Sequence, residues 1–121
     1  MKILAVDDDP FIRELFPSIF ANTDLTDVHT APSGHAALDA IKAQRKPFDC
    51  FLLDVDMPEM DGIELCKRIR TLPGYESKPI LMLTAKTDSV SIENAFASGA
   101  NDYIAKPFNL KDISNRIRVA E

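Results

Sequence analysis

The sequence predicts an α/β domain with a five-stranded parallel sheet and helices on both faces. Two observations predict it. Five short apolar runs alternate along the chain with five stripes at helical spacing, and turn-forming residues separate most of them. Three of the runs are near-continuous, as expected for strands covered on both faces.

The first strand is placed at about residues 2–6, through Ile3-Leu4-Ala5-Val6. Pro10 suits the first turn of a helix whose stripe is Ile12, Leu15, Phe16 and Ile19. Pro17 falls inside that stripe, where it lacks a donor and crowds the carbonyl of Arg13, so a kink or an early tightening is expected. The second strand, about 26–30, alternates and suits a sheet edge. Ser33-Gly34 then precedes a helix marked by Ala37, Leu38 and Ile41. The third strand, about 49–53, carries Cys50-Phe51-Leu52-Leu53, and Gly62 leads into a helix marked by Leu65, Cys66, Ile69 and Leu72. Pro73-Gly74 ends that helix. A strand at about 79–83 leads to a helix marked by Ile92, Ala95 and Phe96, closed by Gly99. A last strand, 102–105, precedes a helix marked by Leu110, Ile113 and Ile117, with Asn109 as its N-cap.

The 121 residues suit one domain, 1–121, with one core. No run approaches the roughly 20 apolar residues of a membrane span, and the N-terminus lacks the features of a signal peptide. A net charge of −5 argues against nonspecific binding to nucleic acid. Cys50 and Cys66 lack metal-ligand spacing and read as small buried apolar groups in a reducing compartment. His29 and His35 read as surface or packing residues.

The strand ends carry the chemistry. In an open parallel α/β sheet the carboxyl ends of the strands form the ligand crevice. Here Asp7-Asp8-Asp9 follow the first strand, Asp54 the third, Thr84 the fourth and Lys106 the fifth. With strands one and three adjacent, Asp7, Asp8 and Asp54 converge, and three carboxylates repel unless a proton or a cation joins them. Mg²⁺ suits such a site, because it takes one or two carboxylates and favours phosphate as a co-ligand. Asp9 reads as a helix start. A carboxylate such as Asp54 can attack phosphorus to form an acyl phosphate. The Thr84 hydroxyl and the Lys106 ammonium would then hydrogen-bond and neutralise its oxygens.

Two rival motifs fit the segment from Asp54 less well. The segment from Asp54 fails as an EF-hand loop at Pro58 and Glu59. The pair Asp54-x-Asp56 after an apolar strand resembles the haloacid-dehalogenase phosphohydrolases. Those enzymes carry a small polar or branched residue where this chain has Pro58, and they usually need a longer chain with a cap.

Ordered motifs run through the whole chain: Val6-Asp7-Asp8, Leu53-Asp54, Met57-Pro58, Met60-Asp61-Gly62, Thr84-Ala85, Gly99-Ala100 and Tyr103-Ile104-Ala105-Lys106-Pro107-Phe108. In these the sequence resembles a response-regulator receiver domain of two-component signalling, of the chemotaxis-regulator kind. The resemblance implies a flavodoxin-like fold with strand order 2-1-3-4-5 and a phosphorylation-dependent, cytoplasmic switch rather than an enzyme. It implies Asp54 as phosphoacceptor, with Asp8 and Asp54 as direct ligands of Mg²⁺, or of Mn²⁺ in its place. Asp7 would bind the ion through water and Asp56 through its backbone carbonyl. Thr84 and Lys106 would contact the phosphoryl group, Tyr103 would change rotamer with Thr84, and the Lys106-Pro107 peptide would be cis. The surface of helix four, strand five and helix five would then change its population of states.

The implied partners are a sensor histidine kinase or a histidine phosphotransfer protein, and a downstream protein or fused output domain. A phosphorylation-linked dimer is a further association open to it, with no membrane or direct nucleic-acid contact. The alternative is a pseudo-receiver that acts only as a constitutive interaction module. Glu121 ends the last helix early, which leaves a stand-alone regulator and an excised receiver both open. Finally, Asp56 and Lys86 lie two residues after Asp54 and Thr84, and their opposite charges predict an ion pair across the mouth of the site.

Overall fold

A computed structural model describes residues 1–20 and 27–120, apart from the side chains of Ile19, Leu110 and Ala120. The expectations for residue 26, for the Ile19 and Leu110 side chains and for Glu121 lie outside the described residues. Strands β1 (Lys2–Val6), β2 (Asp27–Ala31), β3 (Cys50–Asp54), β4 (Ile80–Thr84) and β5 (Asp102–Ala105) alternate with helices. The helices are α1 (Pro10–Ile19), α2 (Gly34–Ala43), α3 (Gly62–Thr71), α4 (Ser89–Ala97) and α5 (Leu110–Ala120). All strand pairs are parallel, in the order β2-β1-β3-β4-β5. This is the flavodoxin-like arrangement, and the order reverses direction between β1 and β3.

Side-chain alternation along the strands divides the core in two. Leu4, Val6, Phe51, Leu53, Ile80 and Met82 face α2, α3 and α4. Ile3, Ala5, Leu52, Leu81, Leu83 and Ile104 face α1 and α5. Every residue of β3 and β4 is buried, so the two central strands have no solvent face. Both cysteines are free and buried, as the sequence predicts.

Local chemistry sets the boundaries. Asp9 caps α1, its carboxylate accepting from Phe11 N at 2.9 Å, and Pro10 follows where no donor is needed. Helix α1 runs only two residues past Pro17. Ser33 caps α2, Asp61 caps α3, and the Asn109 carbonyl of the side chain accepts from Lys111 N at 2.8 Å. Strands β3 and β4 each sit one residue later than the sequence predicts. The reason lies in the ladder. Val55 N still donates to Leu83 O at 3.0 Å, and Lys106 N to Thr84 O at 2.8 Å, so pairing continues through Asp54 and Thr84. Both polar residues are therefore the last residues of buried strands rather than the first of loops.

Candidate functional site

Adjacent parallel strands bring Asp7, Asp54, Thr84 and Lys106 to one end of the sheet. Asp7 and Asp54 are 1% and 2% exposed, and Asp8 is exposed beside them. One oxygen from each of these three acids lies within 4.8 Å of the others. Lys106 Nζ donates to Asp54 Oδ1 at 2.7 Å and stands 3.7 Å from Asp7 Oδ2. The Lys106-Pro107 peptide is cis, as expected.

The acids are incompletely satisfied. Asp7 Oδ1 accepts from Asp9 N at 2.9 Å, and Asp54 Oδ1 accepts from Asp56 N at 3.3 Å. Asp7 Oδ2 is buried with no hydrogen-bond partner, only the more distant ammonium. Burial pushes the Asp54 carboxyl up to about 6, with a further push from Asp7, against the opposing Lys106 bond. Burial likewise raises Asp7, against the Asp9 amide and the Lys106 charge. Burial pulls the Lys106 ammonium down, but its bond to Asp54 and the charges of Asp54, Asp7 and Asp56 outweigh that and raise it. Oxygen ligands only, one of them an orphaned buried carboxylate oxygen, fit a hard divalent cation.

Thr84 lies at the same end, with its hydroxyl engaged by the next turn of chain. Its hydroxyl accepts from Lys86 N at 2.9 Å and donates to Lys86 O at 3.3 Å. Tyr103 is half-buried on β5 and meets Phe96 of α4 edge-on, with ring centroids 6.0 Å apart. Between these groups lies a cavity of about 160 Å³ lined by Val55, Thr84, Lys86, Ile92 and Tyr103, among others. Asp56 sends its amide to Asp54 and its carboxylate outward, where Oδ1 stands 3.8 Å from Lys86 Nζ. The ion pair predicted from sequence is present, between largely solvated side chains.

Two contributors escaped the sequence reading. Arg13 Nη1 donates to the Asp7 carbonyl at 2.8 Å, pinning the acidic loop to α1. Its signal was a basic residue one turn into the helix, which is too common to single out. Gly62 packs directly on the end of β3, where a Cβ would lie 2.4 Å from the Asp54 carbonyl oxygen. Its signal was the Asp61-Gly62 pair, legible as a helix start but not as a close approach.

Comparisons with known proteins agree with this arrangement. A family model described as the response regulator receiver domain matches residues 3–118. The chain is 41% identical over 118 residues to the heme response regulator HssR of Staphylococcus aureus, covering 98% of this chain and 50% of that one. It spans about half the length of the curated relatives it matches. The chemotaxis protein CheY4 of Vibrio cholerae superposes with a TM-score of 0.91 at 34% identity, covering 99% of this chain and 98% of that one. The receiver domain of the sensor histidine kinase PA1611 of Pseudomonas aeruginosa is also similar, with a TM-score of 0.85 and 28% identity. That match covers 98% of this chain and 95% of the other, whose structure has a magnesium ion coordinated in its active-site cleft.

Proposed function

The chain belongs to the response regulator receiver domain family, and on that premise we propose that residues 1–121 form one switch unit that accepts a phosphoryl group on Asp54. A receiver acts in phosphorylation-dependent two-component signalling, as a switch rather than a classical enzyme. The observation that carries the assignment is the buried Asp54 carboxylate, 2.7 Å from the Lys106 ammonium and beside the orphaned oxygen of Asp7.

In the proposed transfer an Asp54 oxygen attacks phosphorus in line as the bond to a donor phosphohistidine nitrogen breaks, leaving the histidine free and an acyl phosphate on Asp54. Lys106 balances the charge that the phosphoryl oxygens bring. Asp8 and Asp54 directly, Asp7 through water and Asp56 through its carbonyl would hold Mg²⁺ or Mn²⁺, which supplies positive charge to the phosphoryl oxygens. Thr84 must leave its two bonds to Lys86 to serve the phosphoryl group, and Tyr103 can then turn into the cavity between them. The face of α4, β5 and α5 changes its population of states in consequence. A histidine kinase or phosphotransfer protein is the proposed donor. A downstream protein, a fused output domain or a second copy is the proposed reader. Among the described residues no helix is long and apolar enough to cross a membrane. The proposed location is the cytoplasm, on the ground of the receiver family alone.

The test is intact mass after incubation with Mg²⁺ and a small acyl phosphate. A gain of one phosphoryl group, absent with chelator, is expected. An unmodified chain would instead favour the constitutive interaction module.

Two further outcomes follow from the geometry. Asp8→Asn is expected to weaken Mg²⁺ binding by about tenfold in calorimetric titration, since it removes a charged ligand worth roughly 1.4 kcal/mol. An unchanged titration would remove Asp8 from the ligand set. The Asp56–Lys86 pair is expected to shield the phosphoryl group, although an exposed pair is worth only about 0–1 kcal/mol to stability. Asp56→Ala and Lys86→Ala should each shorten the phosphorylated lifetime by about two- to fivefold, non-additively. Unchanged or slower hydrolysis in both at fixed Mg²⁺ would dismiss shielding.

A further inference from the structure

Helix α4 is held unequally along its length. Of its residues only Ala95 is buried, and Val90 and Phe96 stand exposed. Its N-terminal end is fastened to itself. Asp88 accepts from Ser91 N at 3.1 Å and from Ser91 Oγ at 2.8 Å, both within the first turn. Beneath the first and middle turns of the helix lies the cavity of about 160 Å³, reached by Ser91, Ile92, Asn94 and Ala95.

The C-terminal end is fastened to the rest of the domain. Ser98 is buried, and its carbonyl accepts from Cys66 Sγ at 3.4 Å. Asn101 N donates to Ile80 O at 2.8 Å, and Asn101 Oδ1 accepts from Ile80 N at 2.8 Å. The strongest tie is Arg70, at the end of α3. Its guanidinium gives Nε and Nη2 to Gly99 O at 3.0 and 2.7 Å, and a second Nη2 hydrogen to Asn101 Oδ1 at 2.9 Å. Nη1 donates to Tyr75 O at 2.9 Å and to Lys78 O at 2.6 Å.

A guanidinium has five N–H donors in a fixed plane, and all of these are used here. Every acceptor is a carbonyl oxygen, so the bonds join segments of chain rather than pairing a charge. They connect the end of α3, the 72–79 connection and the α4–β5 turn. Gly99, at φ +109°, makes room for this, since a Cβ there would lie 2.9 Å from Arg70 Cγ.

We propose that Arg70 is the pivot of helix α4: its guanidinium fixes the α4–β5 turn, so the helix swings about its C-terminal end and its first turns lift from the cavity below. The free end begins at the cap Asp88, two residues after Lys86, the residue that holds the Thr84 hydroxyl. The pivot does not rest on phosphoryl transfer to Asp54, because the anchoring bonds exist in the unmodified chain.

Amide hydrogen exchange, resolved by residue in the metal-free, unphosphorylated protein, tests this. In the parent, the amides of Ser98 to Asn101 should be protected at least about tenfold more than those of Ile92 to Asn94. In Arg70→Met, protection at Ser98 to Asn101 and at Ile80 should fall by about tenfold, with less than about a twofold change at Leu4 and Leu52. Arg70→Lys, with three donors and no plane, should fall between. A flat or reversed gradient in the parent would overturn the proposal without any variant. An even loss of protection across β1, β3 and the α4–β5 turn would overturn it too, reducing Arg70 to a general contributor to stability. Should Arg70→Met not fold, the parent gradient and the lysine variant decide.

Discussion

Asp54→Asn is expected to abolish acyl-phosphate formation and, without metal, to make the protein more stable. The first effect follows from the nucleophile: an amide oxygen does not replace a carboxylate toward phosphorus. Intact mass should show no phosphoryl gain under conditions that label the parent, and full labelling of the variant would sink the assignment. The second effect follows from linkage. Burial pushes the Asp54 carboxyl in the folded, metal-free protein up to about 6, above its ordinary 3.8. Between those values the folded state binds more protons than the unfolded state. The stability gained by protonating Asp54 is therefore fully present below about pH 4 and lost as pH rises through about pH 6. That loss is on the order of 3 kcal/mol, reduced in the comparison by the bond that Lys106 gives up. Urea unfolding in chelator should find Asp54→Asn about 1–3 kcal/mol more stable at neutral pH, with the gap closing toward pH 4. A gap of the same size at both pH values would exclude titration of Asp54 as its cause.

Gly62→Ala carries the other large effect, in the opposite direction. Alanine is the better helix former by about 1 kcal/mol, and Gly62 is the first residue of α3. Helix propensity alone would therefore make the change favourable. Its Cβ, however, would lie 2.4 Å from the Asp54 carbonyl oxygen and 2.9 Å from Val55 Cα, both backbone atoms that cannot rotate away. A loss of about 2–4 kcal/mol is expected, or roughly 8–15 °C in Tm, together with weaker Mg²⁺ binding as the end of β3 shifts. Gly34→Ala is the control. Its Cβ would meet Met60 Sδ at 2.6 Å and Met60 Cβ and Cγ at 3.0 Å, all atoms of one adaptable side chain rather than backbone, so its cost should be smaller. Equal losses in the two variants would show that backbone crowding at Asp54 is not special.

The strands were legible because β3 and β4 are buried on both faces and read as apolar runs, with no solvent face to interrupt them. Strand ends slipped by one residue because a polar side chain such as Asp54 or Thr84 looks like a loop, whereas the backbone ladder runs on through it. The acids and Lys106 were legible because unlike residue types recurred at equivalent strand ends. The present direction of the Thr84 hydroxyl was not legible. It depends on a two-residue turn onto Lys86, whose competition with Asp54 has no signature in residue spacing. The Arg70 bonds were equally hidden, since all but one of them, that to Asn101 Oδ1, end on main-chain carbonyls that every residue possesses.

The buried Asp7 oxygen without a hydrogen-bond donor bears on how this chain would respond to laboratory evolution. Natural proteins keep destabilising groups where activity needs them, and a screen that rewards heat resistance alone removes them. Run in chelator, such a screen should enrich neutral replacements at Asp7 and Asp54 before any helix surface improves. The same library selected in Mg²⁺ should keep both acids, because the proposed ion, through its bound water, would satisfy the oxygen that the protein leaves bare. Which positions drift under the two regimes would therefore map the site without any assay of signalling.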